Sequence, residues 1–407
     1  MKKYWISLVF IVLIAPATFA QQRNRNVRGP QPPTPPPQQQ PATAGQPLQG
    51  LNAQDAAKFA EGKEEFETEE EVDEGLGPVF NGRSCQECHR VPATGGGSRR
   101  TVTRFGRITN GVFDPLANLG GSLIQENAIG PRDGSTHQFQ PERVPPQANV
   151  VARRRSTPLF GLGLVDATPD GTFQQLAAQQ AARNDGTAGK VSLVQNLLTG
   201  TTTVGKFGWK AQVPSLGQFS ADAYLNEMGI TSPLFPNENC PSGNCAELQF
   251  NPLPGLNDTG DDVQALADFM TLLAAPPRGP ITRDVTDGET VFRNIGCESC
   301  HVSTLRTGAS NIAALNRKEY QPWSDYLLHD MGTLGDNITQ GAANGREMRT
   351  APLWGLRFVE TYLHDGRART LDEAIQAHDG QGRTSRNRFN ALDQRGRDQL
   401  ITFLRSL

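Results

Sequence analysis

The sequence of 407 residues predicts a mainly α-helical protein with long irregular loops, in which one domain is built twice in tandem. Three observations lead there. The pentads "CQECH" (85 to 89) and "CESCH" (297 to 301) repeat one pattern, and each follows Val-Phe and four further residues. Farther along, "RSTPLFGLGLV" (155 to 165) matches "RTAPLWGLRFV" (349 to 359). Each half then closes on a segment with apolar residues at helical spacing, Leu266, Phe269, Met270 and Leu272 in the first and Leu400, Phe403, Leu404 and Leu407 in the second.

Taken in chain order, residues 1–20 ("MKKYWISLVFIVLIAPATFA") have the basic start, short apolar run and small-residue end of a secretory signal peptide. That run is shorter than the roughly 20 apolar residues a membrane span needs, so the expectation is an exported, periplasmic chain with no membrane span. Residues 21–50, rich in Pro and Gln, offer almost nothing to bury and read as a disordered linker. An N-terminal domain is expected at 51–278 and a C-terminal one at 279–407, parted in the Pro-rich "AAPPRGPITRD". The segments "DDVQALADFMTLLA", "TLDEAIQAH" and "ALDQRGRDQLITFLRSL" read as helices, while strand signals are few and short. A net charge of −3 gives no reason to expect nucleic acid as a partner. The run Arg153 to Arg155 reads as a solvated turn or as a contact for acidic groups of a cofactor. Cys240 and Cys245, separated by a Pro-Ser-Gly turn, read as a local disulfide in an oxidising compartment.

The pentads carry the chemistry. Two thiols two residues apart on a helical turn can reach the two vinyl groups of one porphyrin, and the adjacent His then falls beneath the iron. A thioredoxin-type pair or half a zinc site needs no such His. With six His in the chain, two unrelated pairs would both be followed by His about twice in ten thousand trials. Two covalently bound haem c groups are therefore expected, attached at Cys85 and Cys88 and at Cys297 and Cys300, with His89 and His301 as proximal iron ligands. Nothing in the sequence indicates calcium. The fold class becomes two cytochrome c-like haem domains in tandem, each using its haem as part of its core.

The stretches "GLGPVFNGRSCQECH", "RRRSTPLFGLGLVDATPDG", "FGWKAQVPSLGQFSADAYLNEMGIT", "SDYLLHDMG" and "RTAPLWGLRFVETYLHDGRARTLDEAI" resemble the di-haem c-type oxidoreductase family of peroxidase-like proteins, also called thiol oxidoreductases. The resemblance runs from about residue 52 to the end. More distantly the chain is similar to bacterial di-haem cytochrome c peroxidases and the MauG proteins. It implies a peroxidase in which a C-terminal haem passes electrons to an open N-terminal haem, peroxide is the oxidant, and a small cytochrome or cupredoxin is the donor. Trp209 takes the position of the Trp between the haems, and Glu227 that of the acid/base over the open iron. Lys210 and the missing Asp-Gly depart from the relatives' Trp motif. For the sixth ligand of the second haem the candidates are His364 and Met331, because Leu363 stands where the resemblance puts a ligating Met. His329 reads as a propionate or turn contact, His137 as a distant ligand candidate, and His378 as a surface or supporting residue. A non-catalytic electron-transfer cytochrome and an enzyme that oxidises a protein or polymer are the alternatives.

Overall fold

The computed structural model describes residues 43–407. The signal peptide expected at 1–20 and most of the linker expected at 21–50 lie outside the described residues. The end of that linker is not a free tether. The Leu48 N–H bonds the Leu272 carbonyl at 2.8 Å and the Ala274 N–H bonds the Gln46 carbonyl at 2.9 Å.

Among the described residues there are nine α-helices: α1 (Ala53–Glu67), α2 (Leu162–Asp166), α3 (Asp170–Arg183), α4 (Leu216–Met228), α5 (Asp261–Leu272), α6 (Arg283–Asn294), α7 (Leu371–Gln376), α8 (Arg383–Asn390) and α9 (Gln394–Leu404). Helices α5, α7 and α9 fall where periodicity predicts them. Their starts follow ordinary capping chemistry: Thr370 opens α7 with a capping box to Glu373, and the Asp393 side chain accepts from the Gly396 N–H at the start of α9.

Two helix pairs frame the molecule in the same way. Helix α1 packs on α5, and α6 packs on α9. Gly62 faces the Ala265 carbonyl in the first pair and Gly288 faces the Gln399 carbonyl in the second. A Cβ at either glycine would overlap the facing backbone, so the close approach requires that residue type. Four residues on, Phe66 and Phe292 are buried against Phe269 and Phe403, with ring centres 4.9 Å and 5.2 Å apart. One large core joins α1, α4 and α5 to Leu305, Tyr320, Tyr326 and Trp354, and a second lies around Phe292, Trp323, Phe389 and Phe403.

The strands are more numerous than the sequence suggests. A three-stranded antiparallel sheet has the order β3 (Val112–Asp114), β2 (Thr101–Thr109), β5 (Val150–Arg155). It takes the Arg153 to Arg155 run out of the solvated turn expected for it: Arg154 and Arg155 are buried in β5. Two-residue β1 (Val79–Phe80) and β4 (Asn127–Ala128) pair beside the first pentad. Five-residue β6 (Ser192–Asn196) and β7 (Thr201–Gly205) form a hairpin ahead of Trp209.

Candidate haem sites

Each pentad sits at the mouth of a cavity. The smaller, about 180 Å³, is lined by Cys85, Cys88 and His89. The larger, about 280 Å³, is lined by Cys297, Cys300 and His301. Each first cysteine opens a short 3₁₀ turn that aims both thiols and the His at one cavity. All four are free thiols, and burial pushes Cys85 and Cys297 up to about 12.

The two histidines are held alike. The His89 ring donates through Nδ1 to the Gly96 carbonyl at 3.0 Å, and the His301 ring through Nδ1 to the Trp323 carbonyl at 2.9 Å. A carbonyl only accepts, so Nδ1 carries the hydrogen and Nε2 keeps the lone pair. Burial holds both rings down to about 4, which keeps them neutral, as a metal ligand must be. Phe66 and Phe292 pack beside them at 6.1 Å and 6.3 Å between ring centres.

Helix α4 supplies the wall of the smaller cavity. Its residues Phe219, Asp222, Ala223, Asn226 and Glu227 fall on one face at helical spacing, and all line the cavity. The Glu227 carboxylate accepts from Asn81 Nδ2 at 2.7 Å. Burial pushes its pKa up to about 7, against the opposing pull of that hydrogen bond and of Arg104. A group poised near neutrality can both take and return a proton.

Trp209 lines both cavities. Its indole N–H donates to the Arg155 carbonyl at 2.8 Å, and its own carbonyl accepts from the Arg349 N–H at 2.9 Å. Lys210, the departure from the relatives' motif, is fully buried as an internal cation. Its Nζ lies 2.9 Å from Asp336 and donates to the Asn344 and Glu347 carbonyls.

His364 and Met331 both line the larger cavity. His364 leans toward Trp209, with ring centres 6.2 Å apart, and its Leu363 neighbour takes a left-handed φ of 72°. His378 is the residue sequence reasoning missed. It is not a surface residue: it lines the larger cavity with its ring centre 6.5 Å from that of His301. Its Nδ1 donates to the Ala374 carbonyl one turn back at 2.8 Å, so its Nε2 also keeps the lone pair. The only signal in the sequence is its place four residues after Ala374, at the end of an amphipathic helix whose inner face was legible.

His329 is buried with Asp325 at 3.0 Å and lines the larger cavity. His137 lies outside both cavities, stacked on Phe250 and bonded to Glu247 at 2.9 Å, so it is no ligand for the first site. Cys240 and Cys245 form the disulfide expected of them.

The donor sets fit haem: paired free thiols, a neutral imidazole with its Nε2 lone pair, and, at the smaller cavity, buried guanidinium nitrogens without partners on Arg104 and Arg155 that call for an acidic group.

The family model described as "Di-haem oxidoreductase, putative peroxidase" matches residues 144–407. No curated protein matches the chain. Solved structures similar to it include a MauG-like protein associated with microbial copper homeostasis, at 15% identity over 90% of this chain and 92% of that one, with a TM-score of 0.37. Another is the diheme peroxidase BthA from Burkholderia thailandensis, at 15% identity over 86% of each chain and a TM-score of 0.38. A third is hydrazine synthase of Kuenenia stuttgartiensis, at 18% identity and a TM-score of 0.27; the match covers 43% of this chain and spans 65% of that one. With well over half of its length matched by the family model, the chain belongs to the di-haem oxidoreductase family and is an oxidoreductase.

Proposed function

We propose that the chain is an exported, periplasmic di-haem c-type oxidoreductase that reduces peroxide at the His89 site with electrons delivered through the His301 site. In this reading residues 51–278 and 279–407 each carry one haem, bound through Cys85 and Cys88 and through Cys297 and Cys300, with His89 and His301 as proximal ligands. The observation that carries it is the placing of the Glu227 carboxyl on the wall of the cavity beside His89, with the Trp209 indole shared between that cavity and the next.

The bound haems supply iron that exchanges electrons with peroxide and with a donor. Glu227 takes a proton from the near oxygen of peroxide and returns it to the far one, so that water leaves. The completed reaction consumes two electrons and two protons per peroxide and yields two waters. The electrons come one at a time from a small cytochrome or cupredoxin. Trp209, held by its N–H on the Arg155 carbonyl, gives the electron a conjugated ring between the cavities.

His378 is our choice for the sixth ligand of the second haem, in preference to His364 and Met331. Two imidazoles on opposite sides of one metal ion, each with a metal–nitrogen distance of about 2 Å, have ring centres about 6 Å apart. The His301 and His378 rings match that spacing at 6.5 Å.

The test is haem counting joined to turnover. The mature protein should carry two covalent haems and consume peroxide with a reduced small cytochrome. Replacing Cys297 and Cys300 together with Ala should leave one haem and abolish donor-driven turnover. A mature protein with two haems that neither binds cyanide nor reacts with peroxide would instead be an electron-transfer cytochrome.

A further inference from the structure

The register of β2 on β5 sets Val102 opposite Arg154 and Arg104 opposite Ala152. Residues directly opposite share a face of an antiparallel pair, so Val102, Arg104 and Arg154 point together at the smaller cavity, which all three line. Val151 and Arg153 point the other way and are exposed. Arg155, at the strand end, lines the cavity as well.

These guanidiniums are not equally satisfied. Arg154 donates through Nε to Asp336 at 2.7 Å and through Nη1 to Gln340 at 2.6 Å. Asp336 is already shared with the buried Lys210. Arg104 forms no ion pair among the described residues; its one side-chain hydrogen bond is a long one to Ser122 at 3.4 Å, and its Nε is buried without a partner. Arg155 Nε is likewise buried and unpartnered. This wall therefore gathers three cations, Arg104, Arg154 and Arg155, and the Asp336 carboxylate that meets Arg154 is divided between it and Lys210. Glu227 and Asp222, on the α4 wall, act on Arg104 only from a distance and are bonded to Asn81 and Asn226. A buried, unpaired guanidinium calls for an anion, and its fork suits a carboxylate.

We propose that Arg104, with Arg154 beside it and Arg155 at the strand end, seats the two propionate carboxylates of the haem held at His89. The seat rests on the reading of the smaller cavity as a haem site. Such a seat would lie beside Trp209, whose indole N–H donates to the Arg155 carbonyl. Arg155 borders the larger cavity as well, whereas Arg104 and Arg154 line the smaller one; Arg349, in the larger, donates through Nε to the Gly208 carbonyl at 2.7 Å and through Nη1 to the Thr350 carbonyl at 3.2 Å.

The experiment compares wild-type holoprotein with Arg104→Gln and Arg104→Lys by haem counting, redox titration and resonance Raman spectroscopy. Arg104→Gln should retain two haems and shift the propionate bending band of the first. It should also lower that haem's midpoint potential, since a lost cation leaves carboxylate charge that favours the ferric form, while the second haem stays unchanged. Arg104→Lys should keep most of the potential and still move the band, because the bidentate fork is lost. A two-haem Arg104→Gln protein with wild-type potential and band overturns the seat. So does one in which only fluoride or cyanide affinity changes, which would put Arg104 over the iron. If Arg104→Gln does not fold, an unmoved band in Arg104→Lys overturns it. A wild-type chain lacking haem at Cys85 and Cys88 overturns the site reading itself, and the haem count reveals that before any titration.

Discussion

At His89 and at His301 the chain builds the same local arrangement: a Cys-x-x-Cys-His turn, an imidazole anchored through Nδ1 to a backbone carbonyl, a Phe beside the ring, and a helix pair crossing at a glycine. The opposite sides differ. The smaller cavity presents a carboxyl on a helix wall, and the larger presents a second imidazole at 6.5 Å from the first. In the proposed reading the two sites share what would hold a haem and differ in what would face it. An acid/base suits an iron that must admit a small oxidant, and a second nitrogen ligand suits one that only relays electrons.

Glu227→Gln tests the difference with the largest effect. Both haems should remain, while peroxide turnover falls by about a hundredfold or more, the usual worth of a positioned acid/base. In the proposed mechanism Glu227 acts first as a base, and burial holds it up to about 7. Wild-type turnover should therefore rise as pH increases through about 7, and the variant should lose that limb. An unchanged pH profile in a folded variant would return Glu227 to a structural role.

The second haem offers the next test. His378→Ala should convert its low-spin ferric spectrum to a high-spin or water-ligated one and admit cyanide there. Met331→Ala and His364→Ala should leave its ligation intact. A change of ligation in either of these, with none in His378→Ala, would transfer the assignment.

Trp209→Phe should keep peroxide binding and both spectra, and slow electron transfer between the haems by about tenfold, a barrier change of roughly 1.4 kcal/mol. Stopped-flow reoxidation of the second haem measures it, and a wild-type rate would remove Trp209 from the path. The shared framework gives the smallest effect. Gly62→Ala and Gly288→Ala each force a methyl into a helix crossing, and each should cost about 1–3 kcal/mol in denaturant unfolding. A large loss at one and none at the other would break the parallel between the helix pairs.

Much of this was legible from local pattern. The pentads are contiguous, and the closing helices of each half show their apolar period; Glu227 and Trp209 came from the family resemblance. What escaped depends on long-range geometry. The β2–β5 sheet hides in "TVTRFGRIT" because one of its inward residues is an arginine facing a cavity, which reverses the usual sign of alternation. His378 meets His301 across 77 positions of chain, and a lone His at a helix end carries no mark of that meeting. Gly62 and Gly288 look like helix-weakening residues until the crossing helix shows why no side chain fits.

The central claim is that one iron is open and the other is closed by a second histidine. Low-temperature electron paramagnetic resonance of the ferric holoprotein, with and without cyanide, tests it most directly. The account predicts one high-spin haem that cyanide converts to low spin, beside one low-spin bis-histidine haem that cyanide leaves untouched. Two haems that both bind cyanide, or two that both refuse it, would contradict it.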